Sequence, residues 1–172
     1  MADSPAISII EGTVKFRDGK KWKSRWCVMR KLSPVADCVH IQLYKDLKER
    51  QKNGQTKASL SLQQYLGFES GFTLDKESNT LAILCEDVVP VLAFDTREIL
   101  IQWKVKVQHN LGSSREFAAV VISAPSAAGV KAGPVRLHAC GPRLALTIAR
   151  PPEIVALWDV KLLRKFGVVD SR

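Results

Sequence analysis

One change of hydrophobic period constrains this chain more than any other feature. Before residue 95 apolar and polar residues alternate in short runs: Val14 and Phe16 with Lys15 and Arg17, Val39, Ile41 and Leu43 with His40, Gln42 and Tyr44, and Leu60 and Leu62 with Ser59 and Ser61. Leu81, Ile83 and Cys85 continue the pattern after a Ser78-Asn79 turn, and residues 88–94 form a further strand whose Pro90 suits an edge or a strand start. Strict alternation puts every second side chain on one face, the pattern of half-buried strands. At Asp95-Thr96-Arg97-Glu98 the period changes. These residues have the form of a capping box, with Asp95 accepting from the Glu98 N–H and the Glu98 side chain reaching back. Ile99, Leu100, Trp103 and Val107 then share one helical face, Lys104, Lys106 and Gln108 turn away, and Gly112 supplies a left-handed cap. About seven short antiparallel strands and one amphipathic helix therefore account for residues 8–111. Trp103 is expected to plug the open end of the bent sheet.

The charge is concentrated in one part of this frame. Residues 14–31 hold eight basic residues, among them Lys15, Lys20, Lys21, Lys23 and Arg25, against the single acid Asp18. Asp18-Gly19 supplies a turn between two alternating runs, which makes the stretch a hairpin with a basic loop. Cations on both strands and in the turn suit a multiply charged anion, and Lys15, Lys23 and Arg25 are the candidates to hold it, with Lys20 and Lys21 assisting from the loop. The net charge of +9 is uneven in the same sense: residues 1–57 carry 13 Lys/Arg against 6 Asp/Glu, and residues 58–172 carry 13 against 11. A field of this kind points to anionic lipid headgroups or nucleic acid. Trp26 is expected in the core, and Trp22 either packs on the hairpin or enters a membrane interface.

Other function classes find little support. Cys27, Cys38, Cys85 and Cys140 lie far apart with no Cys-x-x-Cys, and His40, His109 and His138 are scattered, so the reading is reduced cysteines and no metal. No Gly-rich phosphate loop, His-Glu-x-x-His or Gly-x-Ser-x-Gly occurs, so no catalytic residue and no cofactor are expected. The start lacks a secretory pattern, position 2 is Ala2 and not the glycine that myristoylation needs, and no run is apolar enough to span a bilayer. Any membrane contact is therefore expected to be peripheral.

Between the strands, residues 45–57 read as a long polar loop, and residues 67–75 as a segment with room for one short strand. After Gly112-Ser113-Ser114 strands restart at Phe117, Ala119 and Val121. A second hairpin alternates Val135, Leu137 and Ala139 with Arg136, His138 and Cys140, turns at Gly141-Pro142, and returns through Leu144, Leu146 and Ile148. Residues 154–158 form one more strand. About four strands without a closing helix are a thin basis for an independent core.

Two resemblances follow from these residues. Lys15, then seven residues, then Lys23-Ser24-Arg25-Trp26, with Trp103 on the final helix, resembles a pleckstrin homology domain. The resemblance implies a seven-stranded β sandwich or barrel capped by a C-terminal helix over residues 1–111, with Lys15, Lys23 and Arg25 gripping a phosphoinositide. Trp158-Asp159-Val160 followed by Leu163-Arg164-Lys165-Phe166-Gly167 resembles the Trp-x-Leu and Leu-Arg-Arg-Tyr-Gly signature of phosphotyrosine-binding domains of the insulin-receptor-substrate and Dok type. It implies an incomplete unit of that kind over residues 112–172, with Arg164 and Lys165 at phosphotyrosine-contacting positions. A lysine at the second of these cannot pair bidentately. The tandem, with the runs at residues 17–26 and 33–38, is similar to the Dok family of adaptors and implies a non-catalytic cytoplasmic adaptor at the inner face of the plasma membrane. Its implied partners are a phosphoinositide-containing membrane, a muscle-specific receptor tyrosine kinase at the postsynaptic membrane, and a second copy through the first domain, with no nucleic acid. The family builds its peptide groove from a fifth strand and a terminal helix. The 172-residue chain is therefore expected to bind phosphotyrosine peptides weakly or not at all. Two alternatives remain at this point. Lys-Lys-Trp-Lys-Ser-Arg-Trp interleaves cations and aromatics as single-strand nucleic-acid binders do, and the first domain could serve purely for dimerisation.

Overall fold

Each alternating run becomes a strand in the computed structural model, which describes residues 7–31, 38–164 and 167. Seven strands precede the long helix: β1 (Ile7–Asp18), β2 (Lys21–Lys31), β3 (Val39–Tyr44), β4 (Ala58–Leu62), β5 (Tyr65–Ser70), β6 (Thr80–Cys85) and β7 (Val91–Ala93). They form one antiparallel sheet in the order β4-β3-β2-β1-β7-β6-β5. A short helix, α1 (Leu47–Gln51), lies between β3 and β4, and α2 (Arg97–Leu111) follows β7. A second antiparallel sheet in the order β11-β10-β9-β8 comprises β8 (Arg115–Val121), β9 (Gly133–Cys140), β10 (Arg143–Ile148) and β11 (Glu153–Asp159). This is the mainly β architecture expected, a curled seven-stranded sheet closed by a helix and followed by a four-stranded unit.

The inner face of the first sheet and the apolar stripe of α2 make the core. Val14, Met29, Ile41, Leu43, Leu81 and Ile83 meet Leu100, Trp103 and Val107 there. Trp103 is 1% exposed, with its ring centroid 5.3 Å from that of Phe94. The cap of α2 is displaced by one residue from the expected box. Thr96, in an extended conformation, accepts the Ile99 N–H on its hydroxyl at 3.2 Å, and Asp95 stands outside the helix. Either residue type can cap; the backbone enters the helix at Arg97, so the hydroxyl and not the carboxylate is in reach. The loop of residues 45–57 is not structureless either, because Asp46 accepts the Glu49 N–H at 3.0 Å and starts α1. Trp26 departs from the core expectation. It pairs with Thr13, one residue out of phase with the core position Cys27, and its half-buried indole donates to Glu11 Oε1 at 3.1 Å on the outer face.

All six residues of β6 are buried. Leu81, Ile83 and Cys85 face the core. Ala82 and Leu84 point the other way and are covered as well, Ala82 by Phe72 and Trp22, and Leu84 by Ala145, Ile154 and Leu157 of the second sheet. The four-stranded sheet thus lies on the outer face of β5 and β6. Around its apolar contact, Arg143 donates to Gln64 Oε1 at 2.8 Å and to Glu86 Oε2 at 3.0 Å, and the Tyr65 and Ser114 hydroxyls lie 3.3 Å apart.

Candidate functional site

The basic hairpin is set by a two-residue turn. Gly19 sits at φ +63, a left-handed conformation that suits glycine, and lets β2 return directly along β1. The resulting register pairs Val14 with Arg25, Lys15 with Ser24, Phe16 with Lys23, Arg17 with Trp22 and Asp18 with Lys21. Directly opposed residues share a face. Val14 and Phe16 belong to the core side, so Lys21, Lys23 and Arg25 extend that face beyond the core, and Lys15 and Arg17 lie on the other.

The two faces differ in what balances their charge. On the outer face the turn between β5 and β6 supplies an acid to each cation. Lys15 Nζ lies 2.5 Å from Glu77 Oε1, and Arg17 pairs with Asp75. The hydrogen bond and charge of Glu77, with Asp95 adding, raise the Lys15 ammonium above the usual lysine range. Arg17 also lies over the Trp22 ring, 5.6 Å from its centroid, while the Trp22 Nε1–H donates to Asp75 Oδ2 at 3.2 Å. Trp22 packs against the buried cluster of Phe72, Ala82 and Val91. Of the two roles open to Trp22, the structure shows the packing one.

The inner face is less neutralised. Lys23 Nζ lies 2.8 Å from Asp18 Oδ2, and that hydrogen bond and charge, with Arg25 adding, lower the Asp18 carboxyl. Arg25 Nη1 donates to the Ser24 carbonyl at 2.8 Å. Among the described residues Lys20, Lys21 and Arg25 make no ion pair. Lys45 joins this end of the sheet. It follows Tyr44, which pairs with Trp26, and so comes next to Arg25; with Glu49, Gln55, Thr56 and Lys57 it lines a concavity of about 310 Å³. The sequence holds a signal for it, since Lys45 continues the alternation of Val39, Ile41 and Leu43 onto the same face.

The hairpin therefore brings Lys21, Lys23 and Arg25 together, with Lys20 at the tip, and separates Lys15 from them by the thickness of the sheet. A multiply charged anion on the inner face would meet the first group, where a planar guanidinium and ammonium groups offer several donors. In the second sheet, Arg164 is exposed beyond β11, and Lys165 lies outside the described residues. No helix among the described residues is long and apolar enough to cross a membrane.

Comparison with known proteins gives the chain its relatives. No protein-family model matches it. Over 164 residues, 95% of the chain, it is 40% identical to Protein Dok-7 of Homo sapiens, and over 163 residues it is 37% identical to Protein Dok-7 of Takifugu rubripes. Each alignment covers 32% of the relative, so the chain spans about a third of the length of the curated relatives it matches. Among solved structures, the carboxyl-terminal PH domain of pleckstrin is similar over 62% of this chain and 98% of its own, at 18% identity and a TM-score of 0.46.

Proposed function

We propose, from the premise that the chain is a homologue of the Dok-7 proteins over 95% of its length, that it is a non-catalytic signalling adaptor that rests peripherally on the cytoplasmic face of the plasma membrane. In this reading residues 1–111 bind phosphoinositide or other anionic lipid and residues 112–172 carry part of a phosphotyrosine-binding unit. Lys23 and Arg25 hold the headgroup, with Lys20 and Lys21 at the hairpin tip and Lys45 at the end of β3. Lys15 keeps a share in the positive field but acts mainly on the β5–β6 turn, because Glu77 already engages it. The observation that carries the reading is the inner hairpin face, where Lys21, Lys23 and Arg25 stand together with Asp18 as the one acid of residues 14–31. Each such cation adds about 1 kcal/mol near an anionic surface, so binding is expected to be weak and salt-sensitive.

The membrane is favoured over single-stranded nucleic acid because both indoles of the basic run are engaged. Trp22 packs on Phe72 and donates to Asp75, and Trp26 donates to Glu11, so neither ring stands free as a stacking platform. Co-sedimentation with phosphoinositide vesicles beside a gel shift with single-stranded RNA separates the two. Vesicle binding that is lost on joint replacement of Lys23, Arg25 and Lys45 by Ala is expected; preferential RNA binding overturns the reading.

The finer roles rest on the resemblance of the tandem to Dok-type adaptors. The adaptor engages a muscle-specific receptor tyrosine kinase at the postsynaptic membrane and pairs with a second copy through its first domain. Arg164 and Lys165 contribute incompletely to phosphotyrosine contact. Sedimentation of the triple variant tests whether self-association is separate from lipid binding, with an unchanged dimer expected.

A further inference from the structure

The most heavily partnered polar group among the described residues lies between the two sheets. Glu69 projects from the outer face of β5 and is 1% exposed. Its Oε1 accepts from Arg136 Nε on β9 at 2.8 Å and from Arg150 in the turn after β10. Its Oε2 accepts from the Thr147 hydroxyl on β10 at 2.5 Å and lies 2.7 Å from His138 Nε2 on β9. The donors are themselves held in place. Arg136 Nη2 donates to the Ala149 carbonyl at 2.6 Å, His138 Nε2 is 3.2 Å from Thr147 Oγ1, and the Arg150 guanidinium lies 4.8 Å from the Phe72 ring centroid.

Two guanidiniums, an imidazole and a hydroxyl converging on two oxygens make a donor set suited to an oxyanion. All four belong to the second sheet, and the anion belongs to the first. The geometry points to an oxyanion-binding site on the second sheet, built from Arg136, His138, Thr147 and Arg150 and filled in cis by the Glu69 carboxylate, whose occupancy latches the second sheet to the first. Burial alone would raise the Glu69 carboxyl, yet the hydrogen bonds from His138, Arg136 and Thr147, with the charge of Arg136, bring it down to about 2. Gly67 is the second sign of a built site. It lies two residues away on the same strand at φ +145, and a Cβ there would come 3.2 Å from His138 Nδ1, so the bare backbone gives the imidazole room to reach Glu69. The other acid near the site, Glu116 on β8, is exposed. With Glu69 and His138 it forms a trio with metal-ligand spacing, but the two arginines on Glu69 put positive charge where a cation would sit.

The test uses the whole chain carrying Glu69→Ala, with acetate or formate as the probe and amide hydrogen exchange as the readout. Exchange in β9, β10 and β11 is expected to rise about tenfold or more, as for a buried network that loses its acceptor, while β2 and β3 keep their protection. Acetate or formate in excess is expected to restore most of the lost protection, and chloride at equal ionic strength is not. Unchanged exchange, a loss shared equally by both sheets, or recovery in chloride as large as in acetate overturns the site. If Glu69→Ala yields no folded protein, the double variant Thr147→Val, Arg150→Ala, which leaves the carboxylate in place, must raise exchange in the second sheet alone; no change there overturns it equally.

Discussion

The two sheets bury their side chains by different means. The first closes on itself: its inner face meets α2, and Trp103 fills the space between them. The second has no helix. His138, Ala145 and Thr147 are buried against β5 and β6, whereas Phe117 and Trp158 on its far side remain 47% and 38% exposed. Four strands can order without a full core of their own when an existing surface supplies the other layer. The first sheet is a core with a basic rim, and the second is a layer that depends on that core.

The strongest way to break this comparison is through the shared support. Trp103→Ala is expected to cost about 3–5 kcal/mol and to unfold both sheets in one calorimetric transition. A second sheet that keeps its exchange protection in that variant refutes the dependence. Acid acts in one direction only. The Glu69 carboxyl is held at about 2, below its ordinary value of 4.5, so its contribution is complete above pH 4.5 and is lost as pH falls towards 2. The shift corresponds to roughly 3 kcal/mol. Circular dichroism and exchange through that window should show β9–β11 loosening before β2 and β3, and simultaneous loss removes the distinction. A smaller effect, about 1–3 kcal/mol, is expected for Ala145→Leu, which overfills the contact with Leu66 and Leu84. Thr96→Ala should cost about 1 kcal/mol by uncapping α2. The smallest effect concerns the hairpin. Lys15→Ala should leave vesicle binding nearly unchanged and speed exchange only around residues 74–77, whereas Lys23→Ala or Arg25→Ala should weaken vesicle binding several-fold.

Much of the first sheet was legible because its strands show one apolar face each and α2 switches the period. Residues 67–75 are harder to read, since the strand there already begins at Tyr65, both faces of β5 are used, and Glu69, a buried charge, looks in the sequence like a solvent-facing residue. The burial of Leu84 on the outer face of β6 is explained only by the second sheet, which no local pattern announces. The hairpin itself was visible, but the grouping of Lys15 with Lys23 and Arg25 ignored phase. Once Gly19 fixes a two-residue turn, Lys15 falls opposite Ser24, and the parity of Val14 and Phe16 already assigns it to the outer face. Asp75 and Glu77, which claim the outer cations, lie about sixty residues away in sequence and become partners only when β1, β7, β6 and β5 come side by side.

The clasp between the hairpin and the turn at residues 74–77 has a mechanical consequence. Arg17, Trp22 and Lys15 grip Asp75 and Glu77 through ion pairs in which Asp75 and Lys15 stay about half exposed, so dissolved salt loosens that grip just as it would weaken the pull of an anionic surface on Lys20 and Lys21. Ionic strength thus acts on the same finger twice, slackening its root while dimming the field at its tip.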